Sequence, residues 1–273
     1  QPQREELMKI SLSLEYAESG TLAERLHAVA EAGIPAVNLG TSQIRHLLAT
    51  APSETELLNE QITGHGLAVD WVHAPFRLAV LYDSSTELYH ISMGLMKSVI
   101  TSGAALKAAT VIVHAINKDF PADIATPKYL DQLITSYRVL VAFGNTYGVK
   151  IAVENIDEPY SLPIIETLLA EVDGLTLCFD TGHAEKYGVW DNYLPAYLNK
   201  ISSLHIHDNH GEVDEHLIPG DGTIDFSALL YGLHSTGYTG YLGVECVQRV
   251  SDYPGDFLSL ASLIKTRMSR LEN

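Results

Sequence analysis

The feature that most constrains this chain is an eightfold alternation of short apolar runs with longer amphipathic ones. The short runs are rich in β-branched residues, as expected for parallel strands buried on both faces. They are Met8–Leu14, Ala36–Leu39, Ala68–His73, Thr110–His114, Lys150–Glu154, Thr176–Asp180, Ser202–His207 and Tyr241–Cys246. Helix-like segments separate them: Thr21–Ala32, Ser53–Thr63, Thr86–Lys107, Pro127–Tyr147, Leu162–Glu171, Asp191–Leu198, Phe226–Ser235 and Asp256–Leu271. Their ends carry boundary signals. Gly33 and Gly148 stand where helices stop, Ser53 and Glu56 have the spacing of a capping box, and Pro127 sits where a first turn needs no N–H. Repeated β-then-α units predict a parallel sheet, either a barrel or a doubly wound one.

The placement of polar residues selects the barrel. Active-site groups of an α/β barrel project from the C-terminal ends of several strands. Here His73, His114, Glu154, Asp180, His205 and Glu245 each fall at or near such an end. Strand residues alternate faces. Val111 and Val113 therefore oppose Ile112 and His114, Ile151 and Val153 oppose Ala152 and Glu154, and Leu204 and Ile206 oppose Ser203, His205 and His207. The apolar set can face the helices and the polar set the barrel axis. Trp71, two residues before His73, should fill the interior. Cys178 should face the axis with Asp180, and Cys246 should point away from Glu245, so the two thiols should not pair.

The expectation is a (β/α)8 TIM barrel of the α/β class, with residues 8–273 as a single domain and residues 1–7 as a polar lead-in. A length of 273 residues suits one such barrel. Residues 1–7 lack the apolar core of a signal peptide, and no run of about 18 apolar residues suggests a membrane span. Two cysteines fit a reducing cytoplasm. The formal charge of −17 argues against a nucleic-acid backbone as partner, since that grip needs a basic surface.

A lone histidine at a strand end is usually a hydrogen-bonded structural residue. Six ionisable residues from six strands on one rim are different, because crowded carboxylates and imidazoles are costly to desolvate. A divalent cation resolves that cost, and these donors suit zinc, manganese, cobalt or iron. Two loops add donors. FDTGHAEKYG places His183 three residues after Asp180, and the polar loop after His207 carries Asp214 and His216 before a turn at Pro219–Gly222. His207 and Asp208 could orient ligands or serve only in structural hydrogen bonds. Arg77, Lys118 and Lys186 follow strand ends, where they could take an anionic substrate group or remain solvated cations.

The motifs VHAPF (72–76), VHA (113–115), VEN (153–155), FDTGH (179–183), LHIHDN (204–209), DEHLIPGDG (214–222) and VE (244–245) resemble those of the xylose-isomerase-like barrel superfamily, which includes sugar isomerases, epimerases and endonuclease IV. The resemblance spans strands three to eight. It implies one divalent ion (manganese, zinc or cobalt) on Glu154, Asp180, His205 and Glu245. It further implies that Glu154 and Glu245 act as a catalytic acid/base pair, moving a proton next to a substrate carbonyl through a metal-stabilised enediolate. His183, His73, His114, Lys118 and Glu15 are then candidate substrate contacts.

Endonuclease IV resembles the chain in another way. Its nine zinc-binding residues match in type His73, His114, Glu154, Asp180, His183, His205, Asp214, His216 and Glu245, which implies up to three ions and phosphoester hydrolysis. The net charge, the short segment between His205 and Asp214, and strand-end loops without clustered cations and aromatic wedges weigh against that reading. The loop after His205 also lacks the arginine with which ketose epimerases hold substrate hydroxyls. The expected function is a sugar or sugar-phosphate isomerase or epimerase with a small-molecule partner; assembly into a homo-oligomer is compatible with it. A metal-dependent hydrolase is the alternative. A lyase or dehydratase using related chemistry, and a non-catalytic metal- or sugar-binding barrel, rank below both.

Overall fold

Each of the eight expected strands forms, and all eight run parallel. They are β1 (Ile10–Ser13), β2 (Ala36–Leu39), β3 (Ala68–His73), β4 (Thr110–Val113), β5 (Lys150–Glu154), β6 (Thr176–Asp180), β7 (Ile201–His205) and β8 (Leu242–Val244). The computed structural model describes residues 8–15, 20–77, 79–116, 120, 123–156, 161–246 and 255–271, with the side chains of 191 and 192 excepted. The lead-in 1–7 and Lys118 lie outside the described residues.

The strands follow one another in the order β7-β6-β5-β4-β3-β2-β1-β8. The two outer strands meet beyond their ends. Ile206 bridges Val244 in parallel, its N–H donates to the Gly243 carbonyl at 2.7 Å, and its own carbonyl accepts from the Glu245 N–H at 2.9 Å. The result is a (β/α)8 TIM barrel.

The helices are α1 (Leu22–Glu31), α2 (Thr41–Leu48), α3 (Pro52–Gly64), α4 (Glu87–Ala105), α5 (Pro127–Tyr147), α6 (Ser161–Glu171), α7 (Thr181–Lys186), α8 (Trp190–Tyr197), α9 (Ser227–Thr236) and α10 (Phe257–Leu271). Their apolar stripes cover the sheet. In α4, Ser92, Met93, Met96, Val99, Ile100 and Gly103 are buried, three or four residues apart as an amphipathic helix requires. The capping box expected at Ser53 and Glu56 does not form. Pro52 takes the first helical position of α3 and Ala51 becomes its N-cap without a side-chain bond. A capping box stands instead at α1, where Thr21 and Glu24 satisfy each other's backbone N–H groups.

The parity argument holds. Trp71, Ile112, Ala152 and Cys178 form a separate apolar cluster within the barrel. Val72, Val111, Val113, Ile151, Val153, Leu177, Phe179 and Leu204 join the larger core beneath the helices. Cys178 lies in the inner cluster and Cys246 in the outer core, and the two do not form a disulfide with each other. Between β2 and β3 the register slips, Val37 pairing with Val69 but Leu39 with Val72. The extra residue on β3 lets Asp70 reach Ser11 of β1, whose hydroxyl donates to it at 2.7 Å. Among the described residues, no helix is long and apolar enough to cross a membrane.

Candidate metal centre

The site is a product of register. Asp180 pairs directly with His205 across β6 and β7, and Glu154 pairs with Cys178 across β5 and β6. Glu245 follows β8 and is drawn to the same rim by the Ile206 bridge. These pairings bring Glu154, Asp180, His205 and Glu245 to the C-terminal end of four adjacent strands. All four are buried.

The His205 ring lies at their centre. Its Nδ1 is 3.1 Å from Glu245 Oε2, 3.2 Å from Glu154 Oε1 and 3.6 Å from Asp180 Oδ2. Despite those distances, it has no aligned hydrogen bond to any of them. The nitrogen points between three carboxylates rather than at one. Trp71 packs beneath the ring, with centroids 4.6 Å apart.

The outer donors join this centre. Glu154 Oε2 takes His73 Nε2 at 3.1 Å and His114 Nε2 at 2.9 Å. Phe76 stacks on the His114 ring at 4.3 Å and 17°. His183 Nε2 lies 3.4 Å from Asp214 Oδ2, and His216 Nε2 lies 3.1 Å from the same oxygen. All nine residues singled out in the sequence as metal donors therefore converge. Glu15 does not join them: its Oε1 caps the start of α2, accepting from the Ser42 N–H and hydroxyl, both at 2.7 Å.

Two further residues hold the rim together: Asn155, given no role in the sequence reading, and Asp208, expected there either to orient ligands or to serve in structural hydrogen bonds. Asn155 accepts from the Asp180 N–H and donates to the Asp180 carbonyl, both at 2.8 Å, and so ties the end of β5 to the end of β6. Only its place in VEN, beside Glu154, could have flagged it. Asp208 accepts from the N–H groups of Gly220 and Ile224 at 2.8 and 3.0 Å, pinning the Gly-rich turn. His183, expected in a loop, instead opens α7: Asp180 is the N-cap and accepts its N–H at 2.7 Å.

Proton accounting tests whether these residues fit a metal. A carbonyl oxygen can only accept, so an imidazole nitrogen bonded to one must carry its hydrogen. His73 Nδ1 meets the Ala74 carbonyl at 2.9 Å, His183 Nδ1 the Asn155 carbonyl at 2.8 Å, and His216 Nδ1 the Glu245 carbonyl at 3.1 Å. If these rings are neutral, each Nε2 turns a lone pair toward a carboxylate. That arrangement needs either a second proton or a cation between the partners. Fixing the outer nitrogen on a carbonyl is also how metal-binding histidines are oriented. The donor set fits a divalent ion.

The electrostatics show the same demand for positive charge. Burial alone would raise the Glu154 carboxyl, but His205 and His114 beside it hold it well below the usual carboxylate range. Burial opposes ionisation of Asp180 too, and His183 and His207 outweigh it to hold that group well below its usual value. Burial disfavours charge on His183, yet Asp180 and Asp214 lift it to about 10. Asp214 likewise lifts His216 to about 9 against its burial.

Residues 26–265 match the family described as Xylose isomerase-like TIM barrel, and the chain belongs to that family. A protein of Lysinibacillus sphaericus named Probable endonuclease 4 is 26% identical over 193 residues, covering 62% of this chain and 63% of that protein. The chain spans between 51% and 63% of the length of its first curated relatives. Among solved structures, a D-tagatose 3-epimerase-like protein superposes with a TM-score of 0.76 at 24% identity, covering 97% of this chain and 98% of its own. The IOLI protein with a bound zinc atom superposes with a TM-score of 0.79 at 18% identity and the same coverage. At these identities the superpositions bear on the fold.

Proposed function

We propose that this chain is a divalent-metal-dependent isomerase or epimerase of a small sugar or sugar phosphate. The observation that carries the reading is His205 Nδ1, enclosed by oxygens of Glu154, Asp180 and Glu245 and aligned with none. Spacings of roughly 3–3.5 Å are those of neighbouring ligands around one small cation with bonds near 2.1 Å. Glu154, Asp180, His205 and Glu245 would hold the ion. Manganese, zinc and cobalt all suit such donors. When bound, a divalent ion supplies Lewis acidity toward a sugar carbonyl and its neighbouring hydroxyl.

The protein's own groups do the rest. Glu154 on β5 and Glu245 after β8 flank the inner pair, so one can take the proton next to the carbonyl and the other return it. His73 and His114 fix Glu154 by its Oε2, which leaves Oε1 toward the centre. His183, His73 and His114 border this space and are candidate contacts for substrate hydroxyls; Glu15, whose Oε1 is taken by Ser42, is a weaker candidate, and Lys118 is a candidate from the sequence alone.

Incubation with a panel of ketoses and aldoses in deuterated water tests the proposal. Deuterium should enter next to the carbonyl of at least one sugar, with the epimer or isomer appearing alongside. Glu154→Gln and Glu245→Gln should each slow exchange by about 10²–10⁴-fold, the usual worth of a positioned acid or base.

One observation favours a second reading. The three histidines with their Nδ1 on carbonyls turn Nε2 to carboxylate oxygens other than the three around His205 Nδ1, namely Glu154 Oε2 and Asp214 Oδ2. That supports two or three ions and phosphoester hydrolysis, the activity of the matched endonuclease 4. Cleavage of an abasic-site oligonucleotide, with no exchange in any sugar, would replace the first reading by this one.

A further inference from the structure

His207 lies two residues beyond His205 and differs from His73, His183 and His216. Its side chain is fully buried, yet among the described residues its Nδ1 meets no carbonyl and has no hydrogen-bond partner. The constraint that forces a lone pair onto Nε2 of His73, His183 and His216 is therefore absent. His207 Nε2 is 3.1 Å from both Asp180 Oδ1 and Asp180 Oδ2. A nitrogen centred on a carboxylate at that distance carries the hydrogen and donates it.

The ring has no freedom to do otherwise. One face stacks on His216 at 3.9 Å and 10°. The backbone of Gly182 runs against the Cε1 corner of the ring, where any Cβ would overlap the imidazole. His207 also lies on the strand side of the Thr181 hydroxyl, which accepts its N–H at 3.1 Å and donates to its carbonyl at 2.7 Å. The imidazole is clamped between the first turn of α7 and the loop that carries His216.

We propose that His207 is a positioning residue that sets the orientation of Asp180 and couples it to His216. The His183 main-chain N–H takes Oδ1, the His207 ring nitrogen spans both oxygens, and Oδ2 lies 3.6 Å from His205 Nδ1. The inference rests on the reading that Asp180 helps to hold a cation. Although His207, Asp214 and His216 are close enough to share an ion, with ligand atoms within 4.8 Å, the centred contact of Nε2 to Asp180 assigns His207 the role of donor.

The test is a titration of metal-free full-length protein with Co²⁺ against a competing chelator, with the visible spectrum and ions per chain recorded together. His207→Phe keeps an aromatic ring to stack on His216 but removes the N–H. It should bind the same number of ions about 10–100-fold more weakly, the usual effect of losing a ligand's outer partner, and with a changed cobalt spectrum. His207→Gln restores a donor and should recover part of the affinity. Gly182→Ala, which displaces the ring without altering it, should weaken binding in the same direction and keeps the test decisive if His207→Phe does not fold.

Unchanged affinity and spectrum in His207→Phe would overturn the proposal. Loss of one whole ion per chain would overturn it differently, by making His207 a ligand. A wild-type protein that binds no cobalt at all would instead remove the metal reading on which the inference stands.

Discussion

Individual side chains in this barrel are defined by who carries the hydrogen. His73, His183 and His216 spend their Nδ1 hydrogens on main-chain carbonyls and face carboxylates with Nε2. His207 makes no such commitment and donates to Asp180 instead. Asp70 poses the opposite problem below the rim. It is buried against Ser11, and burial lifts its carboxyl from the usual 3.8 to about 7, with the Ser11 hydroxyl and His205 only partly opposing. A folded-state pKa above the unfolded one means that the native protein keeps a proton the unfolded chain gives up. Stability from this group is therefore full below about pH 4 and falls as pH rises toward 7. Asp70→Asn retains an acceptor for Ser11 and cannot ionise. Urea unfolding should find the variant equal to wild type near pH 4 and more stable at pH 8, by on the order of a few kcal/mol. A variant less stable than wild type at pH 8 would contradict this.

Helices and strands set the limits of substitution. Gly144 sits in the last turns of α5, where alanine would ordinarily be favoured by up to about 1 kcal/mol. A Cβ there would stand 2.7 Å from the Val149 carbonyl and 3.0 Å from the Ile151 side chain. Gly144→Ala should therefore invert the usual sign and destabilise by about 1–3 kcal/mol in denaturant titration, the range for overpacking. Much of this level could be read from the sequence. The bounds of β2, β3, β5, β6 and α5 match their expected runs, because β-branched periodicity, Pro127 and Gly148 mark them locally. Helices α2 and α7 could not be read. Each starts directly at a strand end, α2 on the Glu15 carboxylate and α7 on Asp180, so the cap comes from a residue already assigned to a strand or to a distant loop. The misplaced cap at Ser53 has the same origin, since Pro52 starts the helix one residue sooner than the side-chain signal.

Over the whole molecule, the closed strand order explains why the nine donors were legible. Strand ends of a barrel share one rim, so parity and the C-terminal position sufficed for His73, His114, Glu154, Asp180, His205 and Glu245. The partnerships were not legible. That His205 would lie among three carboxylates, or that Asn155 would lock β5 to β6, depends on register, which no single strand encodes. The acidic body, with 34 acidic against 17 basic residues, also leaves a metal as the natural source of positive charge for an anionic or electron-rich substrate. The direct test of that claim is elemental analysis of protein purified without chelator, wild type beside Glu154→Ala and Glu245→Ala. The account predicts about one manganese, zinc or cobalt ion per wild-type chain, lost or strongly reduced in both variants. A wild-type chain that carries no ion, or variants that keep both their ion and their turnover, would contradict it.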